Sequence, residues 1–204
     1  MLRILLSALI LLFFVGCGPR YGDFFPCHDD GTVKPRVVLL PISDVTGRCD
    51  VAEAFMQCIR DNLMDHGILY VYPEESVNRQ LERMGNVSFL SSDISYANQF
   101  GGADFVVATE LVTCKSDQYG NVEDKCMPPH LQRKHLLMVK IRIRVIDLRC
   151  NEPTIVLQEM LERSLLMPCK KPGEDEIDRC CFRLASRRLI DDYVKRLEDL
   201  TLRL

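Results

Sequence analysis

The sequence predicts a single α/β domain in which helices pack on a mixed sheet. Three observations predict it. Val37-Val38-Leu39-Leu40 is an unbroken apolar run stopped by Pro41, the pattern of a central strand buried on both faces. Val51, Phe55, Ile59 and Leu63 recur every four residues, the pattern of a helix with one apolar side. Val139, Ile141, Ile143 and Val145 alternate with Lys140, Arg142 and Arg144, the pattern of a strand with one wet face.

The first element is not part of the domain. An apolar stretch runs from Ile4 to Val15 behind the α-amine and Arg3. A helix crossing about 30 Å of hydrocarbon needs about 20 apolar residues, so this stretch is too short to span. It has the layout of a secretory signal. Its end, Phe14-Val15-Gly16-Cys17, resembles the bacterial lipobox, in which a cysteine thiolate receives a diacylglyceryl group and the chain is cut just before it. Residues 1–16 are therefore expected to be a lipoprotein signal. Cys17 is expected to carry the lipid, palmitate among its acyl chains, and two or more chains hold a protein stably on a membrane. Residues 18–35 lack periodicity and read as a linker, reaching at most about 60 Å when extended. The domain is expected over 36–204.

Within the domain, Val37–Leu40 is the first strand and "SDVTGRCD" a loop. Asp50, with Glu53 three residues on, makes a capping-box-like start to a helix that Gly67 ends. Ile68–Tyr72 reads as a second strand, stopped by Pro73. A short helix follows, with Val77, Leu81 and Met84 on one side, and another is expected from Asp93 to Phe100. "GGAD" turns into a third strand from Phe105 to about Val112. Residues 113–135 are polar, contain Pro128-Pro129, and are expected to form a loop or flap. Leu136–Asp147 and Thr154 to about Leu165 should pair as an antiparallel hairpin. The last helix is expected from about Asp175 to Leu202, with Phe182, Leu189, Tyr193, Leu197 and Leu200 on one side.

Composition narrows the function classes. The chain has 204 residues, is 47% hydrophobic and carries a net charge of -3. That is enough for one ordinary core, and no basic balance points to nucleic acid. Ten cysteines are many for this length. In an exported protein they suggest disulfides. Cys114 with Cys126, and Cys169 with Cys180 or Cys181, each bracket a polar loop and are the candidate pairs. An alternative is a metal site from Cys114, Cys126, His130 and His135, whose Cys-x₃-His-x₄-His tail is within ligand reach if the loop folds back. The plainer reading is a disulfide with two surface histidines, and no cofactor beyond the covalent lipid is expected. Cys49 and Cys58 flank one helix and are not expected to pair with each other, and Cys150 sits at a strand end.

No catalytic motif appears. There is no phosphate-binding loop, no dinucleotide glycine pattern, no G-x-S-x-G, no HExxH and no CxxC. Asp44, Asp50, Glu53 and Glu110 lie near strand ends and would serve acid–base chemistry only in a convergent pocket. Lys140, Arg142 and Arg144 are expected to form a solvated row paired across the hairpin with Glu159 or Glu162, a binding stripe being the alternative.

Four motifs in order carry a family resemblance. "PISDVTG" at Pro41–Gly47 follows the first strand, "GADFVV" at Gly102–Val107 opens the third, and "RVID" at Arg144–Asp147 ends the fourth. With the lipobox, these resemble the CsgG/LpoB superfamily of envelope lipoproteins over about residues 36–165. The resemblance implies the anticodon-binding-like topology of that family and a non-enzymatic role on the periplasmic face of the outer membrane. One branch forms secretion channels from long amphipathic insertions, and residues 113–135 lack the alternation of a membrane strand. Another branch activates peptidoglycan synthases across a long tether, which 18–35 is too short to provide. The expected role is therefore a docking or scaffold module for an envelope protein assembly, using its loops or sheet edge. An oligomeric secretion component is the alternative, and a homo-oligomer is compatible with either. The cysteine excess resembles that of bacteria such as the chlamydiae, whose envelopes are disulfide-stiffened.

Overall fold

The apolar run after Pro35 forms β1, Arg36–Leu39. Its side chains divide between two cores: Val37 and Leu39 enter one, Val38 and Leu40 the other. Burial on both faces is what an unbroken apolar run of strand length dictates. The computed structural model describes residues 25–47, 49–119, 134–167 and 179–203. The signal, Cys17 and most of the linker lie outside these residues.

The chain leaves β1 through Pro41 and makes a two-residue strand, β2, at Ser43–Asp44. Helix α1 follows, Cys49–His66, starting one residue ahead of the expected cap at Asp50. Its four-residue repeat lands as predicted: Phe55, Ile59 and Leu63 have no exposed surface. Gly67 ends it at φ 64°, a conformation that disfavours side chains, and its N–H closes on Leu63 O at 3.2 Å. β3 is Tyr70–Val71, shorter than expected, and α2 is Glu74–Met84. The helix predicted over Asp93–Phe100 is a single 3-10 turn, Ser95–Gln99.

Three long elements complete the domain: β4 Phe105–Tyr119, β5 Lys134–Asp147 and β6 Thr154–Met167. Helix α3 is described over Arg179–Arg203. The sheet order is β3-β1-β4-β5-β6, with β2 beside β4. β1 runs parallel to both β3 and β4, β2 runs parallel to β4, and β4-β5-β6 is antiparallel. This is a single mixed-sheet α/β domain.

The expectation of a loop over 113–135 is corrected at both ends. Residues Thr113–Tyr119 pair with Lys134–Lys140 as a continuous ladder beyond a bulge between Leu111 and Thr113. "KSDQY" carries no apolar run or alternation to read as a strand, and the ladder with its neighbour holds it extended. Residues 120–133 lie outside the described residues.

The two faces are covered differently. α1 and α3 cover the face of Val139, Ile141, Ile143 and Val145. On α3, Leu189, Tyr193 and Leu197 are fully buried, as their spacing predicts. α2 and residues 87–103 cover the opposite face only over Val38, Leu40, Val106, Ala108 and Ile146. Beyond Arg144 that face carries no helix among the described residues.

Candidate functional site

The sequence motifs resolve into structural clamps. Arg36 donates to the Asp104 carboxylate three times: from its backbone N at 2.7 Å, Nε at 3.2 Å and Nη2 at 3.1 Å. Asp147 accepts from Arg149 N, Nε and Nη2 at 2.9, 3.0 and 2.6 Å, and the same guanidinium lies 4.7 Å over the Phe105 ring. These hydrogen bonds hold the Asp147 carboxyl below the usual range, against the opposing effect of its burial. Asp44 Oδ1 accepts from Thr46 N at 2.7 Å and Oγ1 at 2.6 Å, fixing the turn of "SDVTG".

Arg144 departs most from its expected place. It is only 6% exposed. Its Nε donates to Gln158 Oε1 at 2.9 Å, and its other nitrogens donate to the carbonyls of Phe89, Leu90 and Ser91 at 3.4, 3.0 and 2.5 Å. It is a pin holding the 89–91 segment on the sheet. Alternation identified the face it occupies but not the segment that folds over it.

The rest of the basic row behaves as a solvated face. Lys140 pairs across the hairpin with Glu162 at 2.8 Å, as expected. Arg142 pairs instead with Glu110 of β4 at 3.2 Å. Glu159 lies on the opposite face, opposite Ile143, and takes Arg196 of α3 at 3.3 Å.

Two of the carboxylates named from sequence share a cleft. Asp44 and Glu53 line a cleft of about 630 Å³ at the carboxyl ends of β1 and β3, with Glu74 and Arg60. Such a position is a common place for a ligand in an α/β sheet. Arg60 is already tied, donating to Tyr72 O at 2.8 Å. Among the described residues no histidine, serine, threonine, cysteine, lysine or tyrosine lines this cleft; its ionisable groups are the three carboxylates and Arg60. Glu110 is outside it, beside Arg142, and the side chain of Asp50 lies outside the described residues.

The cysteines separate similarly. Cys114 is buried on β4, on the α3 face opposite Val139. Its candidate partner Cys126 lies outside the described residues, as do Cys17, Cys169 and the side chain of Cys180. Of the other metal-site candidates, His130 and the side chain of His135 also lie outside the described residues; along the ladder His135 pairs with Gln118, four rungs from Cys114. Cys27, Cys58 and Cys150 are free thiols, and Cys58 packs on the core from α1.

The surface that remains is the outer edge of β6. It is a 14-residue strand at the end of the sheet, and among the described residues no strand pairs with its outer side. Met160 is 43% and Ile155 39% exposed along it. A bare edge presents a row of backbone donors and acceptors, and sheets are commonly extended by a partner's strand at such edges. β6 was legible in the sequence as a strand, but its place at the edge was not.

Comparison with known proteins agrees with the architecture. The model of DUF7499, a family of unknown function, matches residues 23–203. No curated protein matches the chain. Among solved structures, the hypothetical protein CT253 from Chlamydia trachomatis aligns with a TM-score of 0.58 at 20% identity, over 83% of this chain and 98% of that one. Protein XCC0632 from Xanthomonas campestris aligns at 0.51 and 9% identity, over 84% and 87%. Lipoprotein GNA1162 from Neisseria meningitidis gives 0.49 and 10%, over 78% and 98%. The first two likenesses are likenesses of fold.

Proposed function

The chain belongs to DUF7499, a family of unknown function, and we propose from its own residues that it is a lipid-anchored, non-enzymatic docking module of the bacterial envelope. Cys17 carries the lipid. The domain stands on the periplasmic face of the outer membrane and adds to an envelope protein assembly through its sheet. The resemblance to CsgG/LpoB-type lipoproteins supports the location. The observation that carries the docking role is the bare edge of β6. No motif of a known catalytic type appears in the sequence, which supports a non-enzymatic reading.

The test has two parts. Cells fed labelled palmitate should label the wild-type chain in the outer-membrane fraction and leave Cys17→Ala unlabelled. A photo-crosslinking residue at Met160 should then give a discrete protein adduct in living cells, lost when Cys17→Ala removes the anchor. An unlabelled wild type overturns the anchor. A labelled protein with no Met160 adduct overturns docking through β6.

A further inference from the structure

The identity of the protein strand that meets β6 can be read from β6 itself. We propose that it is the β6 of a second copy of this chain, lying antiparallel about a two-fold axis through Leu161. This rests on the reading of β6 as the docking edge and names the occupant.

Symmetry limits the possible registers. An axis perpendicular to the sheet keeps each face on its own side, so a residue must meet one of its own parity. Residues 157, 159, 161 and 163 face α3, and 158, 160, 162 and 164 face the open side. The axis must therefore pass through a residue. An axis at Glu159, Glu162 or Arg163 sets a charge against itself. Axes at Gln158 and Met160 leave the charges without an opposite charge across the strands. An axis at Leu161 sets Glu159 against Arg163 of the second copy, and Arg163 against its Glu159. Leu161 meets Leu161, and Gln158 meets Ser164. Within 158–164 this is the one register that pairs opposite charges, and it pairs them twice.

Two further observations fit this register. Glu159 gives one carboxylate oxygen to Arg196, while its Oε2 has no hydrogen-bond partner among the described residues. Oε2 itself is buried in the single chain, while the side chain as a whole keeps 30% of its surface exposed on the side an incoming strand would meet. Arg163 donates to Asp192 of α3 and is half exposed, with donors to spare. Across the axis the four groups would run Arg196, Glu159, Arg163, Asp192, alternating in sign over the joint. β6 also lacks proline and lysine, two of the usual guards of a bare edge.

The experiment uses the full-length lipidated chain in detergent, with native mass spectrometry as the readout and thermal unfolding as a check on each variant. The wild type should be dimeric. Glu159→Arg and Arg163→Glu each set like charges across the axis and should weaken the dimer about tenfold or more, the scale of a like-charge contact in an interface. Mixing the two single variants restores both opposite pairs in a heterodimer, which should form where neither variant dimerises alone. Local damage beside Arg196 or Asp192 cannot produce that rescue. A wild-type dimer indifferent to both changes, or a mixture no better than its components, overturns the proposal. A monomeric wild type whose Met160 still crosslinks to a different envelope protein also overturns it, and leaves the docking reading standing. A monomer without any Met160 adduct overturns both.

Discussion

The two halves of the sheet share β4 and are built to different rules. On the β1 side, the strands are parallel, short and buried on both faces by α1, α2 and the 87–103 segment. On the β6 side, they are antiparallel and long, covered by α3 on one face and, beyond Arg144, by no helix among the described residues on the other. Polar groups follow the cover. At the covered end of β5, Arg144 and Asp147 are buried and hydrogen-bonded, because an unpaired buried polar group is costly. In the open half, Lys140, Arg142 and Glu162 make ion pairs that water competes for. The closed half therefore sets stability, and the open half is left for contact.

That contrast can be broken by substitutions of graded effect. Phe105→Ala removes a fully buried ring from the closed half and should cost about 3–5 kcal/mol in denaturant unfolding. Arg144→Met removes the guanidinium donors to the carbonyls of Leu90 and Ser91, Phe89 keeping its bond from Tyr96, and should cost about 2–3 kcal/mol. Faster hydrogen exchange confined to residues near 89–91 would confirm the pin. An Arg144→Met variant as stable as wild type would place Arg144 with the exchangeable row and erase the contrast.

Asp147→Asn should cost about 1.5 kcal/mol at neutral pH, the scale of a charged hydrogen-bonded contact. Its pH dependence has a definite sign. The folded carboxyl is held below its ordinary 3.8, so the unfolded chain binds the proton more readily. The wild-type advantage over D147N should be complete above about pH 3.8 and shrink as pH falls through the folded value. The smallest effect belongs to the open half. Lys140→Ala should change stability by less than about 1 kcal/mol, and less still in high salt. A larger, salt-insensitive loss would mean that this face is covered.

The same division explains what could be read in advance. Strand β1, the apolar sides of α1 and α3, and the β5–β6 hairpin were all legible, because burial imposes a period on the sequence. Thr113–Tyr119 was not, since an extension held by its neighbour's ladder needs no apolar period of its own. The Asp93–Phe100 segment tightens to one 3-10 turn because it runs over the sheet as a cover with Tyr96 and Ala97 buried, rather than as an amphipathic helix. Strand order, and with it the bare edge of β6, depends on pairings between distant residues and leaves no local mark. Of the motif acids, Asp44 was visible as possible chemistry and Asp104 and Asp147 only as motif letters; their partners Thr46, Arg36 and Arg149 show all three as clamps.

The tie between Arg36 and Asp104 has a mechanical side. β1 is an interior strand flanked by β3 and β4, both parallel to it. A pull arriving along the chain from its N-terminal side meets the sheet at Arg36, where a backbone N–H and two guanidinium nitrogens grip one carboxylate. Force directed along β1 loads its ladder bonds on both flanks in shear, together rather than one after another. The domain is fastened most firmly at the point where tension on its leading segment would be felt first.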